Sequence, residues 1–228
     1  MMKHAVARAL VGVMAASVLV IAPAGAQEEP PPAPFACGQL FEDPAEDVDD
    51  QNLDLIGGGI AAADEASFTA EMQVTNLTTE LPPGATGLVW YFQWTYGEVN
   101  YFASARYSLW TGEVAYGLGE RTDTGFSTTG ETEGTFNEGE QGTITIVVPH
   151  EAVGSPSVGE ALTQVYAESR TGLSGPAGPG LVSQADRGPD GEAYGTDYTT
   201  GSCASEAPIE ECNKKKTKAA RKKCRKKQ

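Results

Sequence analysis

Residues 88–110 read LVWYFQWTYGEVNYFASARYSLW. Leu88, Trp90, Phe92 and Trp94 recur at period two, with Val89, Tyr91, Gln93 and Thr95 between them. A period of two marks a strand with one buried face. Gly97-Glu98 supplies a tight turn, because glycine takes the positive φ that short hairpins need. Folding the chain there sets Trp94 opposite Tyr101, Phe92 opposite Ala103 and Trp90 opposite Ala105. Large side chains then lie beside small ones on a single apolar face. The other face receives Tyr91, Gln93, Phe102, Ser104, Arg106 and Trp110. A slip of one residue would mix the two faces, so the pattern fixes the register. The stretch predicts the central hairpin of an antiparallel β-sandwich.

The flanking sequence repeats this signal. Residues 53–62 and 67–77 read as strands; in the second, Phe68, Ala70, Met72 and Val74 alternate with Thr69, Glu71, Gln73 and Thr75. A further strand is expected at 112–119, and two short edge strands within 122–142, which is rich in Thr, Gly and Glu. Residues 142–148 form a strand with Ile144, Ile146 and Val148 inward, which Pro149 ends because it lacks a ladder donor. After a connection at 150–159, strands are expected at 161–169 and 194–198, with a Gly- and Pro-rich loop over 171–191. Short strands separated by turn signals, without a helical period, predict an all-β fold: an immunoglobulin-like or jelly-roll sandwich.

The ends of the chain differ in kind from its middle. Lys3 and Arg8 precede an apolar run from Ala9 to about Ala22, and Ala24-Gly25-Ala26 has the form of a cleavage site. This predicts a signal peptide over 1–26, and hence a secreted or cell-surface protein. A Pro-rich linker follows at 27–34, then the sandwich at 35–203 and a basic tail at 204–228. No segment after the signal is long and apolar enough to predict a membrane span. All 31 acidic residues lie between Gln27 and Glu211, against Arg106, Arg121, Arg170 and Arg187 alone, a formal charge of −27. Ten Lys and Arg and no acid follow Cys212. The acidic body argues against nucleic-acid binding through the domain itself. The tail points to an anionic envelope polymer or membrane surface as its partner.

Cys37, Cys203, Cys212 and Cys224 all survive signal removal, and an even count in an exported chain favours disulfides. Cys37–Cys203 would tie together the two ends of the domain, leaving Cys212–Cys224 for the tail. Asp43, Asp47, Asp49, Asp50 and Asp54 make a dense acidic loop, either solvated or holding calcium through hard oxygen ligands. Its spacing is not that of an EF-hand.

Catalytic signatures are missing from the sequence. His150 is the single histidine after the signal, and no Gly-x-Ser-x-Gly elbow or phosphate-binding glycine loop occurs. Glu71, Glu98 and Glu113 read as exposed strand residues. The expectation is a non-enzyme. The outward aromatics Tyr91, Phe102 and Trp110, beside Gln93 and Arg106, could form a sugar platform, with rings against C–H faces and polar groups on hydroxyls. The alternative is that these rings are covered and the domain is structural or adhesive.

Asp43-Pro44-Ala45-Glu46-Asp47, Asp54-Leu55, Tyr101-Phe102, Gly142-x-Ile144 and Val148-Pro149 follow an order that resembles exported bacterial β-sandwich domains of the carbohydrate-binding family 9 and DOMON-like kind. Val153-Gly154-x-Pro156, Gly159-x-x-Leu162 and Ala185-Asp186 continue it. The resemblance spans about residues 35–203. It implies an immunoglobulin-like or jelly-roll sandwich in a secreted protein, and calcium near Asp43, Asp47 and Asp186. Haem-binding relatives use axial Met or His ligands, and the lone His150 beside Pro149 argues against haem here. The tail resembles Lys/Arg-rich endings of exported surface proteins in Gram-positive bacteria.

Overall fold

Two antiparallel sheets make up the domain in the computed structural model, which describes residues 34–175 and 178–203. The strands are β1 (Gly38–Glu42), β2 (Leu55–Ala63), β3 (Ser67–Leu77), β4 (Gly87–Tyr96), β5 (Val99–Ser108) and β6 (Glu113–Thr122). They continue with β7 (Gly125–Glu131), β8 (Gly134–Asn137), β9 (Gly139–Pro149), β10 (Ala161–Gly175), β11 (Gly178–Gly188) and β12 (Tyr198–Thr199). The first sheet runs β1-β2-β3-β9-β8. The second runs β11-β10-β4-β5-β6-β7, with β12 paired to β10. A single 3-10 turn, His150–Val153, follows β9. None of the described helices is long and apolar enough to cross a membrane.

The central hairpin has the register that its sequence implies. Trp94 faces Tyr101, Phe92 faces Ala103 and Trp90 faces Ala105 across β4 and β5. Gly97 turns the chain at φ 61°. Leu88 and those six residues are all buried, and they meet Phe68, Met72, Val74, Ile144, Ile146 and Val148 from the first sheet. These inner faces alternate with outward residues along the strands, the general construction of a sandwich core. Trp90 is fully buried, packs its ring 5.3 Å from Phe136 and donates its indole N–H to the Asn52 carbonyl at 3.2 Å. Trp90→Ala is therefore expected to destabilise the fold by about 3–5 kcal/mol through the cavity it leaves. Chemical denaturation measures this, and a loss below about 1 kcal/mol would contradict the packing described.

Four expectations need correction. The Gly/Pro-rich segment 171–191 is mostly strand: β10 continues to Gly175 and β11 pairs back along it, Gly172 to Val182 and Ser174 to Pro179. β11 lies at the sheet edge, where a proline withholds no needed donor. Trp110 is not on the outward face of β5. That strand ends at Ser108, and Trp110 sits on the following turn, 61% exposed. Glu71 is buried rather than exposed, since the segment ahead of β1 folds over it and the Phe35 amide donates to its Oε2 at 2.7 Å. Burial raises the Glu71 carboxyl above its usual range. The expected final strand, 194–198, is reduced to the two-residue β12.

A disulfide joins Cys37 and Cys203, with Cα atoms 5.0 Å apart. It links the start of the first sheet to the end of the domain. The signal segment 1–26, Cys212, Cys224 and the basic run Lys214–Lys227 lie outside the described residues.

Candidate functional site

The strongest grouping of functional side chains lies where the loop after β1 meets β2 and the end of β11. Asp43 follows β1 directly, Asp47 sits in the loop, and Asp186 is on β11. One carboxylate oxygen from each lies within 4.8 Å of the others. Asp43 and Asp186 are buried and Asp47 is exposed, so the group opens to solvent on one side. The loop is curled toward it by Asp54, whose Oδ2 accepts from the Glu46 amide at 2.7 Å and from the Thr75 hydroxyl at 2.6 Å. Glu46 adopts φ 66°, a left-handed conformation that a non-glycine residue keeps only where its surroundings hold it. On the other side, Asp186 Oδ2 accepts from the Leu55 amide at 2.7 Å, and its Oδ1 from the Arg187 amide at 2.6 Å.

Asp43 is the residue that defines the chemistry. It is 8% exposed, and neither of its carboxylate oxygens makes a well-formed hydrogen bond among the described residues, although the Asp190 amide interacts with it. Oδ1 of the fully buried Asp54 also makes none. Buried carboxylate oxygens normally have partners, and leaving them without costs about 1–3 kcal/mol each, more when charged. Desolvation, then repulsion from Asp186, Asp190 and Asp47, push the Asp43 carboxyl up to about 8, while the Asp190 amide opposes the shift. Asp186 is pushed up to about 6, first by desolvation. Asp47 is raised as well, by desolvation and by Asp190. A Cβ on Gly188 would lie 3.0 Å from Asp43 Oδ2, so glycine is what lets β11 close over the carboxylate.

These residues fit a hard divalent cation. Calcium takes carboxylate oxygens at about 2.3–2.6 Å, so oxygens within 4.8 Å of one another can share one ion. Asp43, Asp47 and Asp186 would hold it. The ion would neutralise the mutual repulsion that otherwise makes the cluster unfavourable. Asp190 is the member that the sequence conceals, because Gly188-Pro189-Asp190-Gly191 reads as an ordinary turn.

The aromatic set is placed differently. Tyr91 and Phe102 do share the outward face of the second sheet, but both are buried, their rings 5.2 Å apart and nearly perpendicular. Phe126 of β7 stacks on Tyr91 at 4.1 Å and closes a small second cluster with Val89. Trp110 lies apart on its turn, so the three rings form no common plane. Gln93 is 2% exposed, and its Oε1 accepts from the Tyr166 hydroxyl at 2.7 Å and from Arg121 at 3.2 Å. Arg106 is half-buried on the same face. His150 is buried, 6.1 Å from the Phe68 ring, in the 3-10 turn.

The chain matches no protein-family model, no curated protein and no solved structure.

Proposed function

We propose that this is an exported, non-catalytic β-sandwich module of the structural or adhesive kind, locked by calcium at Asp43, Asp47 and Asp186. The observation that carries the reading is the buried Asp43 carboxylate, without a well-formed hydrogen bond, facing two other acids. A cluster of like charges, two of them buried and one without a well-formed hydrogen bond, is unfavourable unless a cation occupies it. The ion would join β1, the following loop and β11, and so fasten the edges of both sheets. Export is supported by the N-terminal sequence and is consistent with the Cys37–Cys203 bond. The basic tail tethers the acidic body to an anionic envelope polymer, a reading supported by the segregation of charge along the chain. Release of the full-length protein from cell-envelope fractions by molar salt checks that part.

Glycan binding on a flat platform of Tyr91, Phe102 and Trp110 is less favoured, because two of these rings are buried edge to face. The direct test is calorimetric titration of chelator-treated protein with calcium. One ion per chain is expected, with proton release at pH 6–7, since binding requires carboxylates that burial keeps partly protonated. Asp186→Asn should weaken binding by at least about tenfold. The absence of binding at millimolar calcium would overturn the reading.

A further inference from the structure

The body of the chain has four basic residues against 31 acids, and all four lie on one face of one sheet. Arg170 is level with Val89 of β4, which is level with Arg106 of β5. Arg187 of β11 is paired with Glu168, and Arg121 of β6 with Asn100, on the same outward side. The guanidinium groups of Arg170, Arg121 and Arg187 and the rings beneath them form a continuous ladder. Arg170 and Arg121 lie 5.0 and 5.5 Å from the centre of the Phe126 ring. Arg121 and Arg187 lie 5.8 and 4.5 Å from that of Tyr166, and Arg187 lies 5.5 Å from that of Tyr194.

In so acidic a body, each of these cations would be expected to find a carboxylate. Among the described residues only Arg170 does, in a two-point contact with Glu168 at 2.9 and 3.1 Å. Glu113 and Glu131 lie on the same side of β6 and β7, but neither forms an ion pair with the arginines. Among the described residues, the guanidinium groups of Arg121 and Arg187 donate through Nη1 alone, Arg121 to Gln93 and Tyr166, Arg187 to the carbonyls of Pro189 and Gly191. The buried Nε2 of Gln93 and the buried Nε of Arg106 have no acceptor among the described residues. The face therefore has spare donors and positive charge that its own carboxylates do not pair, apart from Glu168 with Arg170. Stacking on rings accounts for only about 0.5–1 kcal/mol per exposed cation and leaves these donors unused. Beside them stands Tyr194, 50% exposed, its ring edge-to-face with Tyr166 at 5.7 Å.

We propose that this outward face of the second sheet binds an acidic polysaccharide, with Arg106, Arg121 and Arg187 pairing with its carboxylates and Tyr194 stacking on a sugar ring. Guanidinium forks match carboxylates in two-point geometry. The arginines are spread across β11, β10, β5 and β6, a spacing that suits an extended polymer better than a small ligand. The Asp186 carboxylate of the calcium centre faces the opposite side of β11, although Arg187 also holds the Pro189–Gly191 turn that carries Asp190.

The test uses the full-length protein, with its tail intact in every variant, so that differences report the face. Affinity is measured at physiological salt for polygalacturonate, for its methyl ester, and for inorganic polyphosphate. Polygalacturonate should bind and the uncharged ester should not. Arg121→Gln/Arg187→Gln should weaken polygalacturonate binding by at least about tenfold, the loss of one or two charged contacts. Tyr194→Ala, an exposed change that leaves the core intact, should weaken polygalacturonate several-fold and leave polyphosphate unchanged. Unaltered affinity in both variants would overturn the proposal. An equal effect of Tyr194→Ala on polygalacturonate and polyphosphate would overturn the assignment to a sugar.

Discussion

Replacing both Cys37 and Cys203 by serine is expected to lower stability by roughly 4–5 kcal/mol, the largest single loss from any covalent change. The bridge closes a loop with a sequence separation of 166 residues. In the chain-entropy description a loop of that size removes about 5 kcal/mol of freedom from the unfolded chain. A domain of this size has about 5–15 kcal/mol in total, so the variant should lose about a third or more of its stability. The change must be double, because one remaining cysteine could pair with Cys212 or Cys224. Equilibrium unfolding in denaturant reads the effect. A loss under about 1 kcal/mol would mean that sheet pairing alone holds the ends together in both states.

The second large effect is a dependence on pH that calcium reverses. Asp43 has its folded-state carboxyl raised to about 8 from 3.8, and Asp186 to about 6. Glu71 and Asp47 are raised in the same direction. A raised carboxyl holds its proton in the folded state after the unfolded chain has lost it. Folded protein then binds more protons, and stability falls as pH rises. Metal-free protein should accordingly be most stable near pH 4 and lose several kcal/mol by pH 8, because each tenfold difference in proton affinity between the folded and unfolded chain is worth about 1.4 kcal/mol. Calcium requires the ionised form, so its affinity rises over the same window and the decline flattens or inverts. Thermal melts across pH 4–8, with calcium and with chelator, measure both curves. Parallel curves would show that no ion acts at these carboxylates.

The central hairpin was legible down to its register because sequence alone specifies it. Tryptophan and phenylalanine on β4 face alanine on β5, and one residue of slip would place Trp90 and Trp94 in solvent. Alternation shows which residues share a face but not what lies over that face. Tyr91 and Phe102 point outward as their spacing requires, yet Phe126 and the arginines of neighbouring strands cover them. Those contacts are far apart in sequence, and no local pattern encodes them. The hairpin of β10 and β11 was hidden for a compositional reason. Glycine and proline around residues 172–180 resemble a loop, but an edge strand tolerates both.

The acidic centre was legible only in part. Asp43, Asp47 and Asp54 lie within one short stretch, so their density is visible in the sequence. Asp186 is 143 residues beyond Asp43, and only the pairing of β11 with β10 brings it close. Neither the lack of a well-formed hydrogen bond at Asp43 nor the close approach of Gly188 leaves any mark on local sequence.

A cation centre at this place depends above all on Asp43, and Asp43→Asn isolates its contribution. Asparagine has nearly the same shape and no charge, so it removes both the cost of a buried carboxylate and a ligand for the ion. At pH 8 without metal, the variant should be more stable than the parent, by a margin on the order of 2–4 kcal/mol. With millimolar calcium the order should reverse, because the parent gains stability from the bound ion and the variant gains little. Melting temperatures of the two proteins, in chelator and in calcium, decide the matter. A variant less stable than its parent in chelator, or equally stabilised by calcium, would contradict a cation centre built on Asp43.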